Sequence, residues 1–208
     1  MNKYHIAVLI SGRGSNLVAL NEAIKQGHAK AEIKCVISSS EKARGLDYAK
    51  QQGIATTWFA ESVIQSEKAF SKALLDTFSL HRVRLVVLAG FLRKIPKSVI
   101  EIYRNRMINV HPALLPAFGG KGMYGRHVHE AVLEYGCKVS GATVHIVSAE
   151  YDTGPPILQE CVPVLDDDTP ESLAARILPV EHKLLPKAVD LFARDLIEVH
   201  GRSVRILR

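Results

Sequence analysis

Cysteine, tryptophan and long apolar runs are scarce in this chain of 208 residues: three cysteines, one tryptophan and an aromatic share of 6%. Cys35, Cys137 and Cys161 are odd in number and far apart, which suits neither a disulfide framework nor a paired-cysteine metal knuckle. They read as core or incidental thiols. No apolar run approaches the length of a membrane span, and the apolar part of MNKYHIAVLISG is too short for a secretory signal. The expectation is a cytoplasmic chain with no membrane partner. There is no low-complexity tract, and the basic residues behind the net charge of +6 are scattered with few aromatics among them. Such a balance suits an acidic small substrate and gives no support to nucleic-acid binding.

What the chain does have is apolar content, 47% of its residues, enough for one well-cored domain over 1–208. Short Val- and Ile-rich runs alternate with segments of helical spacing. Strands are expected at Tyr4–Ile10, Ile33–Ile37, Thr56–Phe59, Leu85–Ala89 and Met107–His111. Helices are expected after residue 15 up to Gly27, over Ala43–Gln52, over Lys68–Leu80 and from Pro96 onward. Strands at Ala142–Val147 and Ile157–Val164, separated by a short loop, read as a hairpin. A helical stretch from Pro170 to about Val199, interrupted at Pro179 and Pro186, completes the chain. The fold class is therefore an α/β protein with an open, mostly parallel, Rossmann-like sheet flanked by helices and an antiparallel hairpin at one edge. Binding sites in such sheets lie beyond the carboxyl ends of the strands.

The first strand-end turn is LISGRGSN, residues 9–16. Gly12 and Gly14 permit backbone conformations closed to other residues, and Ser15 and Asn16 add side-chain donors where the first helical N–H groups are unpaired. Such a turn favours an anion, above all a phosphate, although Ser15 or Asn16 could equally do no more than cap the helix. A Walker A loop needs Gly-Lys-Ser/Thr after four spacers, and Asn16-Leu17-Val18 stands there instead. A dinucleotide fingerprint fails because Leu17 replaces its third glycine, which leaves Glu41 without a ribose to bind. A monophosphate fits better than ATP or NAD.

Further along, Asn109 and His111 alternate with Ile108 and Val110, so in a strand both point to one face. Buried polar groups at a strand end need partners, whether from the fold itself or from a ligand. After them Pro112 and Pro116 bend the chain, and the glycines at 119, 120, 122 and 125 imply a mobile flap. Asp152, in AEYDTGPP, is either an ordinary turn aspartate or a third member of the group. His127 and His129 have no HExxH pattern, cysteine pair or carboxylate at ligand spacing around them, so they read as flap or helix-start residues and no metal is expected.

Four segments, ISGRGSNL near the N-terminus, LAGFLRKI at 88–95, INVHPALLP at 108–116 and YDTGPPILQ at 151–159, stand in the order and spacing of one family. The chain closely resembles the folate-dependent phosphoribosylglycinamide formyltransferases, from Ile6 to about Phe192. The resemblance implies a transfer of formyl from 10-formyltetrahydrofolate, as co-substrate, to the amine of 5'-phosphoribosylglycinamide in purine biosynthesis. It places the substrate phosphate on Gly14, Ser15 and Asn16, with Glu181 near the ribonucleotide. The folate pterin is placed along Leu92, Arg93, Lys94 and Ile95, with Ser148 to Asp152 closing its other side, and Asn109, His111 and Asp152 match the catalytic three. The partners implied are small molecules, with the chain a monomer or homodimer.

The residue types suit that chemistry. An α-amine with a pKa near 8 is roughly a tenth neutral at pH 7, so activating it is not the hard part. Attack on the formyl carbon creates an oxyanion, to which Asn109 can donate an N–H and His111, if protonated, another. A histidine near neutral pKa also suits the proton transfer from amine to folate nitrogen, and Asp152 is expected to orient that imidazole and raise its pKa. Two departures from the family pattern stand out: Ala113 where many members carry serine, and Glu67 where a basic residue is thought to meet the folate's glutamate tail. Formyltetrahydrofolate deformylase, a hydrolase with the same Asn-His-Asp chemistry, is the alternative; it resembles this chain preceded by a regulatory domain. Methionyl-tRNA formyltransferase adds a C-terminal RNA-binding domain, whereas only RSVRILR is expected here beyond the last helix. A non-catalytic nucleotide-binding module leaves Asn109, His111 and Asp152 unexplained.

Overall fold

Alternate residues of the first strand face two different cores. A computed structural model describes residues 3–207, so residues 1, 2 and 208 of the expected 1–208 domain lie outside the described residues. In β1 (Tyr4–Ile10), Ile6, Val8 and Ile10 join one apolar cluster and Ala7 and Leu9 the other. β4 (Leu85–Leu88) does the same, with Leu85 and Val87 on one face and Val86 and Leu88 on the other. Both strands are uninterrupted apolar runs because both faces of the sheet are covered.

The remaining strands are β2 (Ala31–Ser38), β3 (Ala55–Trp58), β5 (Met107–His111), β6 (Val139–Ile146) and β7 (Pro156–Pro163). They join the first two in a seven-stranded sheet of order β3-β2-β1-β4-β5-β6-β7. All neighbours are parallel up to β5, while β5 with β6 and β6 with β7 are antiparallel. The first face carries α1 (Ser15–Lys25), α2 (Arg44–Gln51), α6 (Arg126–Glu134) and α7 (Pro170–Ala193); the second carries α4 (Glu67–Leu80) and α5 (Lys97–Ile102), whose Phe70, Leu74, Phe78 and Val99 fill it. A short α3 (Glu61–Gln65) precedes α4. Strand order reverses between β1 and β4, which opens a crevice at their carboxyl ends. There Ser11 binds the loop after β4 twice, its N–H donating to Gly90 O at 3.1 Å and its Oγ accepting from Leu92 N at 2.9 Å.

The C-terminal third corrects the sequence reading. α7 runs unbroken through Pro179 and Pro186. An internal proline costs roughly 3 kcal/mol, but each large apolar side chain buried contributes about 1.5–3 kcal/mol. The stripe of Leu173, Ile177, Leu184, Leu185, Val189 and Phe192 outweighs both breaks. The helix then stops at Ala193 rather than near Val199. Asp195 takes a left-handed conformation, φ 54°, and the chain forms a hairpin of β8 (Ile197–His200) and β9 (Ser203–Ile206). Ile197 and Val199 belong to a period-two pattern, not a helical one. Pro96 is an N-cap rather than the first helical residue. The bounds of the β6–β7 hairpin move to the ranges given above.

Candidate active site

Asn109 and His111 do project to one face at the end of β5, and they meet a cavity of about 850 Å³. Opposite Asn109 in the antiparallel ladder stands His145 of β6, only 2% exposed. Its Nδ1 lies 2.9 Å from the Ile146 carbonyl oxygen, which can only accept, so Nδ1 carries the hydrogen. In the neutral ring Nε2 then accepts from Asn109 Nδ2 at 3.1 Å. That amide nitrogen also reaches Asp152 Oδ1 at 3.4 Å. The Asn109 amide nitrogen thus faces two acceptors, His145 and Asp152.

Asp152 comes from the loop between β6 and β7 and adopts φ 54°, a left-handed conformation uncommon for a residue with a side chain. Its Oδ2 accepts from Gly120 N at 3.0 Å and lies 3.7 Å from His111 Nδ1, while its Oδ1 lies 3.5 Å from His145 Nε2. Burial pushes this carboxyl up, but the His145 contact, the His111 charge and the Gly120 N–H together hold it below the usual aspartate range. His111 is 3% exposed, and its Nε2–H donates to the Phe118 carbonyl oxygen at 2.8 Å. That bond fixes the tautomer and leaves Nδ1 as the basic nitrogen, facing Asp152.

The net direction for His111 differs from the sequence expectation. Asp152 does pull its pKa up, as does the Phe118 bond, but burial pulls harder and the ring ends below the ordinary histidine value. At pH 7 it rests neutral, a proton acceptor rather than a standing cationic donor. Replacing Asp152 by Asn removes the main upward pull, so the His111 pKa followed by NMR is expected to fall further; an unchanged value would show that the two groups are not coupled.

The glycine-rich segment after Pro116 is anchored at its base: Phe118 holds His111, Gly120 holds Asp152, and the segment leads into α6. At the start of α6, Arg126 pairs with Glu130 and with Glu171 of α7. His127 is exposed and faces Glu130 at 3.5 Å, whereas His129 is buried with Nδ1 unpartnered. Among the described residues no group of three or more His, Cys, Asp or Glu is placed to hold a metal ion.

The first turn is not a side-chain cap. Gly14 is the N-cap of α1, at φ 76°, and neither Ser15 nor Asn16 bonds back to the helix start. A Cβ on Gly14 would stand 3.1 Å from Gly45 Cα, and Gly45 N donates to Gly12 O at 3.2 Å, so the turn is packed backbone to backbone against α2. The Asn16 side chain is not a free donor: its Nδ2 donates to Glu181 Oε2 at 2.6 Å. Burial raises the Glu181 pKa against the opposing effect of that bond. Asn16 and Glu181 line the cavity, whereas the Gly14 and Ser15 side of the turn does not.

Leu92, Arg93, Lys94 and Ile95 line the same cavity, as do Ser148 and Asp152. Leu92 is exposed and Ile95 is buried in the second core cluster. Arg93 is tied to Glu61 at 2.6 Å and Lys94 to Glu150 at 3.3 Å. Ser148 Oγ is occupied with Glu150 O at 3.1 Å and Thr153 Oγ1 at 2.8 Å. His145 is the residue the sequence reading missed. Its signal, the alternation in Ala142–Ile146, becomes informative only once the register sets it against Asn109.

The chain is similar over nearly its whole length to known proteins. A family described as formyl transferase matches residues 4–189. The chain is 39% identical over 204 residues to a chloroplastic phosphoribosylglycinamide formyltransferase of Arabidopsis thaliana, covering 98% of this chain and 70% of that one. It is 37% identical over 199 residues to the phosphoribosylglycinamide formyltransferase of Escherichia coli (strain K12), covering 96% and 92%. The crystal structure of glycinamide ribonucleotide transformylase 1 from Symbiobacterium toebii superposes with a TM-score of 0.93 at 40% identity, covering 99% and 95%. A formyltetrahydrofolate deformylase from Pseudomonas syringae pv. tomato reaches a TM-score of 0.89 at 24% identity, covering all of this chain and 67% of that one, which is a likeness of fold.

Proposed function

Because this chain belongs to the formyl transferase family, we propose that it moves the formyl group of 10-formyltetrahydrofolate to the amine of 5'-phosphoribosylglycinamide, giving formylglycinamide ribonucleotide and tetrahydrofolate in purine biosynthesis. The observation that carries this reading is that one cavity joins three things. Asn16 and Glu181 line one part of it, the Leu92–Ile95 segment and Ser148 another, and Asn109, His111 and Asp152 stand where they can serve both. A non-catalytic module has no use for the third.

When bound, the folate supplies a formyl group on a nitrogen that leaves once protonated. Leu92 and the backbone around Arg93 to Ile95 hold its ring on one side, and Ser148 to Asp152 on the other. Asn109 donates an N–H to the oxygen that becomes negative as the amine attacks. His111 takes the proton released by the amine at Nδ1 and returns it to the leaving nitrogen, and Asp152, 3.7 Å away, stabilises the imidazolium between those two events. The proton moves need no metal. The phosphate lies on the backbone N–H groups of Gly14, Ser15 and Asn16, and the Asn16–Glu181 pair meets the sugar. The working unit is a single domain over 1–208, a monomer or homodimer acting on small molecules in the cytoplasm.

Asn16→Ala is expected to raise the KM for the ribonucleotide much more than the KM for the folate, since only one substrate loses contacts. Equal rises in steady-state kinetics would point to damage of the fold instead. The function is tested by leaving out one substrate at a time. Tetrahydrofolate release is expected to require the ribonucleotide, and release at the same rate without it, with formate as product, would make the protein a deformylase.

A further inference from the structure

The arginine of the first turn is a cation without a carboxylate. Five cationic side chains line the large cavity: Arg13, Arg93, Lys94, Lys121 and Arg126. Carboxylates hold Arg93, Lys94 and Arg126. Among the described residues Arg13 and Lys121 have no such partner, and only Arg13 adjoins a helix N-terminus. It sits between Gly12 and Gly14, immediately before the uncapped first turn of α1. The N–H groups of that turn carry the positive end of the helix dipole and have no intrahelical acceptor.

A second feature at the same end of the cavity points to a ligand. Asn16 is only 8% exposed and lines the cavity, yet its Oδ1 is buried without a partner, because its Nδ2 is committed to Glu181. A buried carbonyl oxygen left unpaired costs free energy until a donor reaches it. The site therefore offers two kinds of recognition side by side: a guanidinium with helix N–H groups for an anion, and the Asn16–Glu181 pair on the cavity wall for hydroxyl or N–H donors. A sugar phosphate carries both.

We infer that Arg13 binds the substrate phosphate together with the α1 backbone and sets the preference of the protein for the phosphorylated ribonucleotide over its nucleoside. This rests on the function proposed above. The guanidinium suits the role in a way lysine does not, because its planar fork can give two parallel hydrogen bonds to phosphate oxygens. Gly14 cannot contribute a side chain, since a Cβ there would crowd Gly45, whereas Arg13 before it carries the turn's positive charge. Arg13 is exposed and bonds to no other described side chain, so replacing it leaves the fold intact.

Titration calorimetry with 5'-phosphoribosylglycinamide and with its dephosphorylated nucleoside tests the inference. In Arg13→Gln the affinity for the ribonucleotide is expected to fall about tenfold, in line with loss of a charge-assisted pair, while that for the nucleoside stays the same. Arg13→Lys is expected to fall between the two, and the difference between wild type and Arg13→Gln to shrink in high salt. An Arg13→Gln chain that keeps the wild-type ratio of ribonucleotide to nucleoside affinity would overturn the assignment without touching formyl transfer. A wild type that shows the preference but transfers no formyl group would instead overturn the function and leave the role of Arg13 standing.

Discussion

Replacing Asn109 by Ala is expected to lower kcat by about a hundredfold or more, the usual cost of losing one oxyanion donor, while both KM values stay within a few-fold. The argument is geometric. His145 Nε2 and Asp152 Oδ1 lie 3.1 and 3.4 Å from the Asn109 amide nitrogen and hold the amide in place. An amide held in place before the substrate arrives is effective as a donor when charge develops. Steady-state kinetics checks this, with circular dichroism to show that the fold survives. Turnover near the wild-type rate would make Asn109 and His145 a structural pair at the end of two strands.

The second large effect is expected at His111. His111→Asn removes the proton carrier while keeping a polar side chain of similar reach, and general acid–base groups are worth on the order of 10²–10⁴ in rate. The pH dependence carries the sign. Burial keeps the imidazole below the ordinary histidine value, so it is neutral and ready to accept a proton at pH 7. Activity is therefore lost as pH falls through that lowered pKa, on the acid side of 6.5, because a ring already protonated cannot serve as base. The acid limb of kcat/KM is expected to move to still lower pH in Asp152→Asn, whose histidine has lost its upward pull. Since His111 and Asp152 interact, the limb belongs to the pair rather than to one residue. An acid limb unchanged in both variants would remove His111 from the proton path.

Sequence and structure agree best where one physical rule dominates. β1 keeps the bounds its apolar run suggests, Tyr4–Ile10, because a strand covered on both faces is apolar over nearly its whole length. Asn109 and His111 stood out for the converse reason, being polar residues on one face of such a strand. Asp152 could be suspected but not assigned: its left-handed backbone and its bond from Gly120 depend on how the β6–β7 loop folds back over β5. His145 was illegible because a strand histidine acquires meaning only from the residue opposite it. The prolines of α7 misled for an energetic reason, since the cost of each is local and visible whereas the burial that outweighs it is tertiary. Asn16 shows the same limit at the site: it was expected to offer its N–H, and that N–H is committed to Glu181, 165 residues away.

The fate of the formyl carbon tests the account most directly. A single turnover with 13C-formyl tetrahydrofolate and excess 5'-phosphoribosylglycinamide, followed by NMR, is expected to place the label on the glycyl nitrogen, one formylated ribonucleotide for each tetrahydrofolate released. The segment bonded to His111 and Asp152 is expected to help keep water from the reacting carbon during that step. Label appearing as formate while the ribonucleotide stays unmodified would contradict the transfer and identify the site as hydrolytic.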